Sequence, residues 1–194
     1  MPSETLNEWE RHNELEKTIL TGIYGQPEIK RAEKNRFLGE FRERVIKRLS
    51  KKQVAEPGIY PEITSALEDE NAKKMVIHGD IPYSQARKYE KLAHKLQKGC
   101  SIIHEPGFKG DTGLLVVSGN AVDIENIDVE DRTLRLTRLG VPEPLIHSAG
   151  RKVCKSCLDK MLKADPAEAS NYTMITFLDH LWGEHCPGCT STEH

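Results

Sequence analysis

Two cysteine pairs, Cys154-Lys155-Ser156-Cys157 and Cys186-Pro187-Gly188-Cys189, restrict what this 194-residue chain can fold into more than any other feature. A two-residue spacer lets both sulfurs of a pair reach one tetrahedral ion, so the 28 intervening residues must fold to bring the two knuckles together. The pattern predicts a structural Zn2+ held by Cys154, Cys157, Cys186 and Cys189. Four thiolates leave no open position for a catalytic water, and His185, beside Cys186, is not needed as a ligand. An iron–sulfur cluster or a redox switch would use the same thiols. After the first knuckle, Leu158, Met161 and Leu162 suit a short helix ending near Asp165-Pro166. Tyr172, Ile175, Leu178, Leu181 and Trp182 have helical spacing up to Gly183. A small helical unit follows, although Thr173, Ile175 and Thr176 would also suit the strand of a zinc ribbon.

Ahead of the cysteines, Tyr83 to Gln97 carries an apolar stripe of Ala86, Tyr89, Leu92, Ala93 and Leu96, opened by Pro82 and closed by Gly99. Short apolar runs on either side, Lys74 to His78 and Cys100 to His104, read as buried strands and complete a βαβ unit. Pro61 opens a shorter helix with Ile63, Ala66 and Leu67, and Leu114 to Ser118 is a further buried strand. Val122 to Val129 is a weaker strand candidate, and the alternating Thr133 to Leu139 suits either an edge strand or part of the connection to the cysteine unit. From Leu38 to Leu49 the apolar spacing slightly favours a helix over a strand.

No apolar run nears the roughly 20 residues of a membrane span. The opening MPSETLNEWERHNELEK lacks the basic and apolar regions of a secretory signal, which predicts a cytoplasmic location where thiols stay reduced. The net charge of −2 conceals basic stretches. Residues 29–54 include Arg42, Arg44, Lys47 and Arg48, and residues 87–98 include Arg87 and Lys91. Such stretches can neutralise phosphates, which makes these six residues candidate nucleic-acid contacts, although amphipathic elements also carry basic outer faces. His78, His104 and His147 lie at or beyond strand ends near Asp80, Glu105 and Asp111, yet no spacing ties them into a catalytic set. Phosphate-binding loops and nucleophile elbows are missing from the sequence as well. Cys100 reads as a small core residue.

The run GIYGQPEIKRAEKNRFLGEFRERVIKRLSKKQV, then YPEITSALEDENAKKMVIHGDIPYSQARKYEKLA and GDTGLLVVSGNAV, resembles the YueI family of bacterial proteins of unknown function over residues 16 to 130. Its most specific parts are the Gly22-Ile23-Tyr24-Gly25 turn with Pro27 and Glu28, the Phe37 to Val45 block, and Thr112-Gly113. The resemblance implies an α/β fold, a β-α-β-α-β-β sandwich of the Bacillus chorismate mutase-like type, shared with kink-turn-binding ribosomal proteins. It makes Glu40 to Leu49 the first strand, against the pattern.

The chain is thus expected to comprise an N-terminal helical arm (1–28), a YueI-like α/β domain (29–130), and a linker with the four-cysteine unit (131–194). The leading functional expectation is a non-catalytic regulatory or protein-interaction protein with a protein partner, and the alternative is an RNA-binding protein. No membrane contact is expected, no small-molecule substrate is assignable from the sequence, and fold alone transfers no function.

Overall fold

The structure is a computed structural model that describes residues 13–16, 18–19, 31–108 and 110–189. Most of the expected N-terminal arm, with the Gly22-Ile23-Tyr24-Gly25 turn, lies outside the described residues. Within them, Glu14 to Glu16 are helical, and the side chains of Asn13 and Glu16 reciprocally cap each other's backbone N–H at 2.8 and 3.1 Å.

Four strands form one mixed sheet: β1 (Val45–Ser50), β2 (Ala72–His78), β3 (Gly99–Ile103) and β4 (Thr112–Ser118), in the order β1-β4-β2-β3. β2 and β3 are parallel, joined by the crossover helix α4 (Tyr83–Lys95), whereas β4 runs antiparallel to both β1 and β2. α1 (Arg31–Arg36) precedes the sheet, and α2 (Lys51–Ala55) and α3 (Pro61–Glu68) connect β1 to β2. The chain order is the expected β-α-β-α-β-β, with the first connection carrying two helices. β4 has neighbours on both sides and all seven of its residues are buried. Its alternation splits the core. Leu114 and Val116 meet Ile63, Leu67, Ala86 and Tyr89 of the helices, and Leu115 and Val117 meet Phe37, Leu38, Phe108 and Ile127 on the other face.

The helical pattern of residues 38–49 is corrected to a strand, and the family-based Glu40 to Leu49 is shortened at its start. A 3-10 turn (Arg42–Arg44) comes first, and β1 begins at Val45. Val45 and Lys47 pair with the consecutive residues Val117 and Val116, so Ile46 is an extra, bulged residue. The bulge puts Ile46 and Leu49 in the same core, three positions apart, which imitates helical spacing. Val122 to Val129 is an irregular segment, linked to β1 by a single bridge between Arg48 and Asp128. The carbonyl of Glu43 accepts from the N–H groups of both Val122 and Asp123, and Asp123 has φ +42°. Thr133 to Leu139 is helical: α5 (Arg132–Arg138) starts where the Asp131 side chain accepts from Leu134 N–H. The alternation there was misleading, because Leu136 is buried and Leu134 is exposed.

The rest of the chain forms α6 (Glu143–Ile146), β5 (Lys152–Val153), α7 (Lys155–Ala164), a 3-10 turn (Pro166–Asn171), β6 (Thr173–Met174) and α8 (Phe177–Leu181). β5 and β6 form a short parallel ladder. The helix expected through Tyr172 to Trp182 is therefore confined to its second half. Thr173 and Met174 are extended, and Asp179 caps the start of α8 by accepting from Thr176 N–H and Oγ1, both at 2.7 Å. Gly183, at φ +81°, follows the helix end as anticipated.

This second unit rests on residues 56–62. The Asn171 side chain donates to the Ile59 carbonyl and accepts from the Ile59 N–H, each at 2.7 Å, and Arg132 N–H donates to the Tyr60 hydroxyl at 3.1 Å. Gly58, at φ +87°, is needed here because a Cβ would sit 2.8 Å from that of Ala149.

Candidate metal centre

Cys154 occupies the N-cap of α7 with extended backbone (φ −69°, ψ 163°), and Cys157 lies in the helix's first turn. The N-terminal dipole of this ten-residue helix favours thiolate at both positions. The second knuckle closes over them in a turn in which Cys189 N–H approaches the Cys186 carbonyl at 3.4 Å. Gly188 allows that approach, since a Cβ there would meet Leu145 Cδ1 at 2.9 Å and Cys157 Sγ at 3.4 Å.

All four sulfurs lie within 4.8 Å of one another. Cys154 Sγ is 3.6 Å and Cys157 Sγ 3.7 Å from Cys189 Sγ. A tetrahedral ion with metal–sulfur bonds of about 2.3 Å needs edges of about 3.8 Å, whereas a disulfide needs about 2.05 Å. The separations therefore fit four ligands around one ion, and all five cysteines are free. Cys154 N–H donates to Cys186 Sγ at 3.2 Å, the kind of contact that stabilises a thiolate. Burial opposes ionisation of Cys186, but the backbone N–H groups of Cys154 and Gly188 outweigh it and bring the thiol down to about 7. Burial pushes Cys157 up. Cys189 is raised to about 11, mainly by its contact with Cys154 and then by burial. Of these three thiols Cys186 is the most readily ionised, whereas burial and neighbouring thiols hold Cys157 and Cys189 toward the neutral form that a cation would oppose. Among the described residues this is the cluster of three or more metal-ligating side chains.

Supporting the site is an apolar cluster of Leu136, Val141, Leu145, Ile146, Val153, Met161 and Tyr172. Beneath it lies a buried charge network with no counterpart in the sequence expectations. Arg132 is 1 % and Glu168 0 % exposed. Arg132 Nε donates to both Glu168 oxygens at 3.0 and 2.9 Å, Nη1 to the Ile146 carbonyl at 3.1 Å and Nη2 to the Tyr172 hydroxyl at 2.8 Å. Glu168 also accepts from Arg135 Nη2 and Asn171 Nδ2, each at 2.8 Å. The available signal was Arg132 and Arg135 three positions apart in a stretch also carrying apolar residues, which alternation had made look like a strand edge.

The candidate nucleic-acid contacts do not form one surface. Arg42 Nη2 donates to the carbonyls of Ile124 and Glu125, Lys47 Nζ to that of Asn126, and Arg48 pairs with Asp128 and Thr112. These three basic side chains fasten the irregular segment after β4 to β1 and to the turn before it. Arg44 is exposed in the turn before β1, while Arg87 and Lys91 are exposed on α4, which packs over β2 and β3 toward the opposite edge of the sheet. A cavity of about 550 Å³ beside Arg36, Arg42 and Arg48 is also lined by Glu33, Glu43, Asp123, Glu125 and Asp128, so its charge does not favour phosphate.

Two of the three histidines, His78 and His104, come together around Gly79 and Asp80. His78 is buried, with Nδ1 accepting from Asp80 N–H at 3.1 Å and its ring edge-on to Phe108. His104 packs on Gly79, where a Cβ would overlap its ring. Lys51 first, and then His78 and His104, hold the Asp80 carboxyl below its usual range. His147 is remote from them, within 3.6 Å of Glu143 on α6. No helix among the described residues is long and apolar enough to cross a membrane.

Fold and site together define a mixed α/β sheet domain carrying a compact four-cysteine unit able to hold a metal ion. The sequence profile described as "Protein of unknown function (DUF1694)" matches residues 12–128, and the chain belongs to that family. It is similar to the uncharacterized protein YueI of Bacillus subtilis (strain 168), with 28% identity over 119 residues, 61% of this chain and 90% of that relative. The crystal structure of the YueI protein from Bacillus subtilis matches with a TM-score of 0.51 and 28% identity, covering 62% of this chain and 94% of that one. The profile ends at residue 128, ahead of all four clustered cysteines.

Proposed function

We propose that this chain is a non-catalytic cytoplasmic interaction protein whose C-terminal unit is organised by one structural Zn2+ bound to Cys154, Cys157, Cys186 and Cys189. The carrying observation is the convergence of four thiols within 4.8 Å, with Cys189 at near tetrahedral-edge distance from both Cys154 and Cys157. A complete thiolate set leaves no coordination site for substrate or water, which favours a scaffold over a reaction centre. What the ion would hold in place is the chain between the knuckles, including α8, where Phe177 is 82 % and Trp182 80 % exposed alongside Leu178 and Leu181. Side chains of that kind on a metal-fixed element suit protein contact.

The test combines metal analysis with recovery of partners. Protein prepared under reducing conditions should contain about one equivalent of zinc, and Cys154→Ser with Cys189→Ser should abolish it. Metal below a tenth of an equivalent would reject the zinc assignment. Visible absorption with stoichiometric iron would replace zinc by an iron–sulfur cluster. Crosslinked protein partners should survive nuclease and be lost when Leu181→Glu and Trp182→Ala are introduced. Crosslinks that nuclease removes, and that weaken with salt and on changing Arg44, Arg87 and Lys91, would favour RNA binding instead.

A further inference from the structure

The two edges of the main sheet are finished differently. β1 carries Lys47 and Arg48 and the Ile46 bulge, and the following chain covers it: Arg48 N–H donates to the Ile127 carbonyl at 2.8 Å, and Val129 N–H approaches the Arg48 carbonyl at 3.4 Å. β3, at the other end of the strand order, has the sequence Gly-Cys-Ser-Ile-Ile. It has no charge, no proline and no register shift against β2, and β2 is its one strand partner among the described residues. Among the described residues, such an edge lacks the charge, proline and bulge that discourage pairing with another strand.

Its backbone polarity can be read directly. The Ile103 carbonyl accepts from Gly79 N–H at 2.9 Å, so Ile103 turns its polar groups toward the β2 side. Along a strand these groups alternate, so Ser101 and Gly99 also face β2, and Cys100 and Ile102 direct their N–H and C=O groups to the open edge.

We infer that a second copy of this chain occupies the edge, β3 pairing antiparallel with the partner's β3 about a twofold axis at Ser101. The proposal goes beyond the zinc reading and is independent of it. A twofold axis at Ser101 sets Cys100 opposite the partner's Ile102, and vice versa. These are the outward-facing residues, so each such pair exchanges two backbone hydrogen bonds. Gly99 falls opposite the partner's Ile103, placing small beside large. The flank is self-complementary too. Glu90 acts electrostatically on the Cys100 thiol and accepts from the Tyr83 hydroxyl at 2.9 Å, which puts Glu90 and Tyr83 on the β3 side of α4. Arg87, one turn earlier, gives this rim both signs of charge. Tyr83 and Ile102 are 59 % and 36 % exposed, and the pairing would cover both.

Light scattering on the zinc-loaded full chain at tens of micromolar should give twice the 21.9 kDa chain mass. Ser101 and its partner copy would form a non-hydrogen-bonded pair with α-carbons about 4.5 Å apart, within disulfide reach. In a Cys100→Ser background, Ser101→Cys should therefore form a reducible covalent dimer under glutathione disulfide, while Ser84→Cys on α4 should not. Ile102→Lys should yield a monomer with an unchanged circular dichroism spectrum. A monomeric parent mass overturns the proposal. So does a dimer that Ser101→Cys fails to capture or that Ile102→Lys leaves intact.

Discussion

Glu168 is fully buried and accepts from Arg132, Arg135 and Asn171, and a charge so placed is held by its partners more than by its own affinity for the interior. Glu168→Ala should destabilise the second unit by about 3–5 kcal/mol, read from its urea transition, because two arginines would then be left underpaired. Replacing Arg132 by Met and Glu168 by Leu together should cost much less than the two single changes combined, and a double-mutant cycle measures the difference. Lys88 offers a pH test. Burial lowers its pKa from 10.5 to about 8, with Glu56 partly opposing, while its ammonium donates to the Glu56 carbonyl. A lysine lowered on folding carries its charge at a cost below pH 8, so stability should rise with pH between about 8 and 10.5. Lys88→Met should remove that rise, and parallel denaturant titrations across the range check it. Identities of this kind were poorly legible in the sequence. The cysteine spacing announces its chemistry, but an arginine destined for a buried carboxylate looks like any surface arginine until its fold is known.

At the level of elements, β2, β3, β4 and α4 were legible because each is a run of one period bounded by Gly or Pro. β1 was not, since the Ile46 bulge replaces its alternation with a three-residue spacing between Ile46 and Leu49. α5 failed in the opposite sense, its alternating sequence being overruled by the Asp131 cap and the ties of Arg132 and Arg135 to Glu168. For the second unit, the helix after the first knuckle was anticipated, but the β5–β6 ladder splits the second predicted helix. The Thr112-Gly113 pair that marked the family resemblance has a packing reason. A Cβ on Gly113 would lie 2.7 Å from the Ser50 carbonyl oxygen and 2.8 Å from Lys51 Cα, both backbone atoms at the corner between β1 and α2. Gly113→Ala should therefore destabilise the sheet domain by about 1–3 kcal/mol, seen as a lowered urea midpoint.

For the whole molecule, the cysteine unit and the sheet share the 56–62 segment, so a change in one should be felt by the other. Chelation of metal should accelerate amide exchange throughout residues 150–189 and, more weakly, at Ile59 and Tyr60, leaving β2 and β4 protected. Truncation after Glu130 should speed exchange at residues 56–62; unchanged protection there would mean that the junction carries no energy. The order of the chain adds a temporal aspect. β4 ends at Ser118, so a ribosome can release a sheet able to close while the unit that covers Ile59 and Tyr60 is still being synthesised. In that interval the nascent protein displays an unfinished surface. Slow metal loading in the cell should then appear as aggregation of newly made chains, while mature protein already in place is spared.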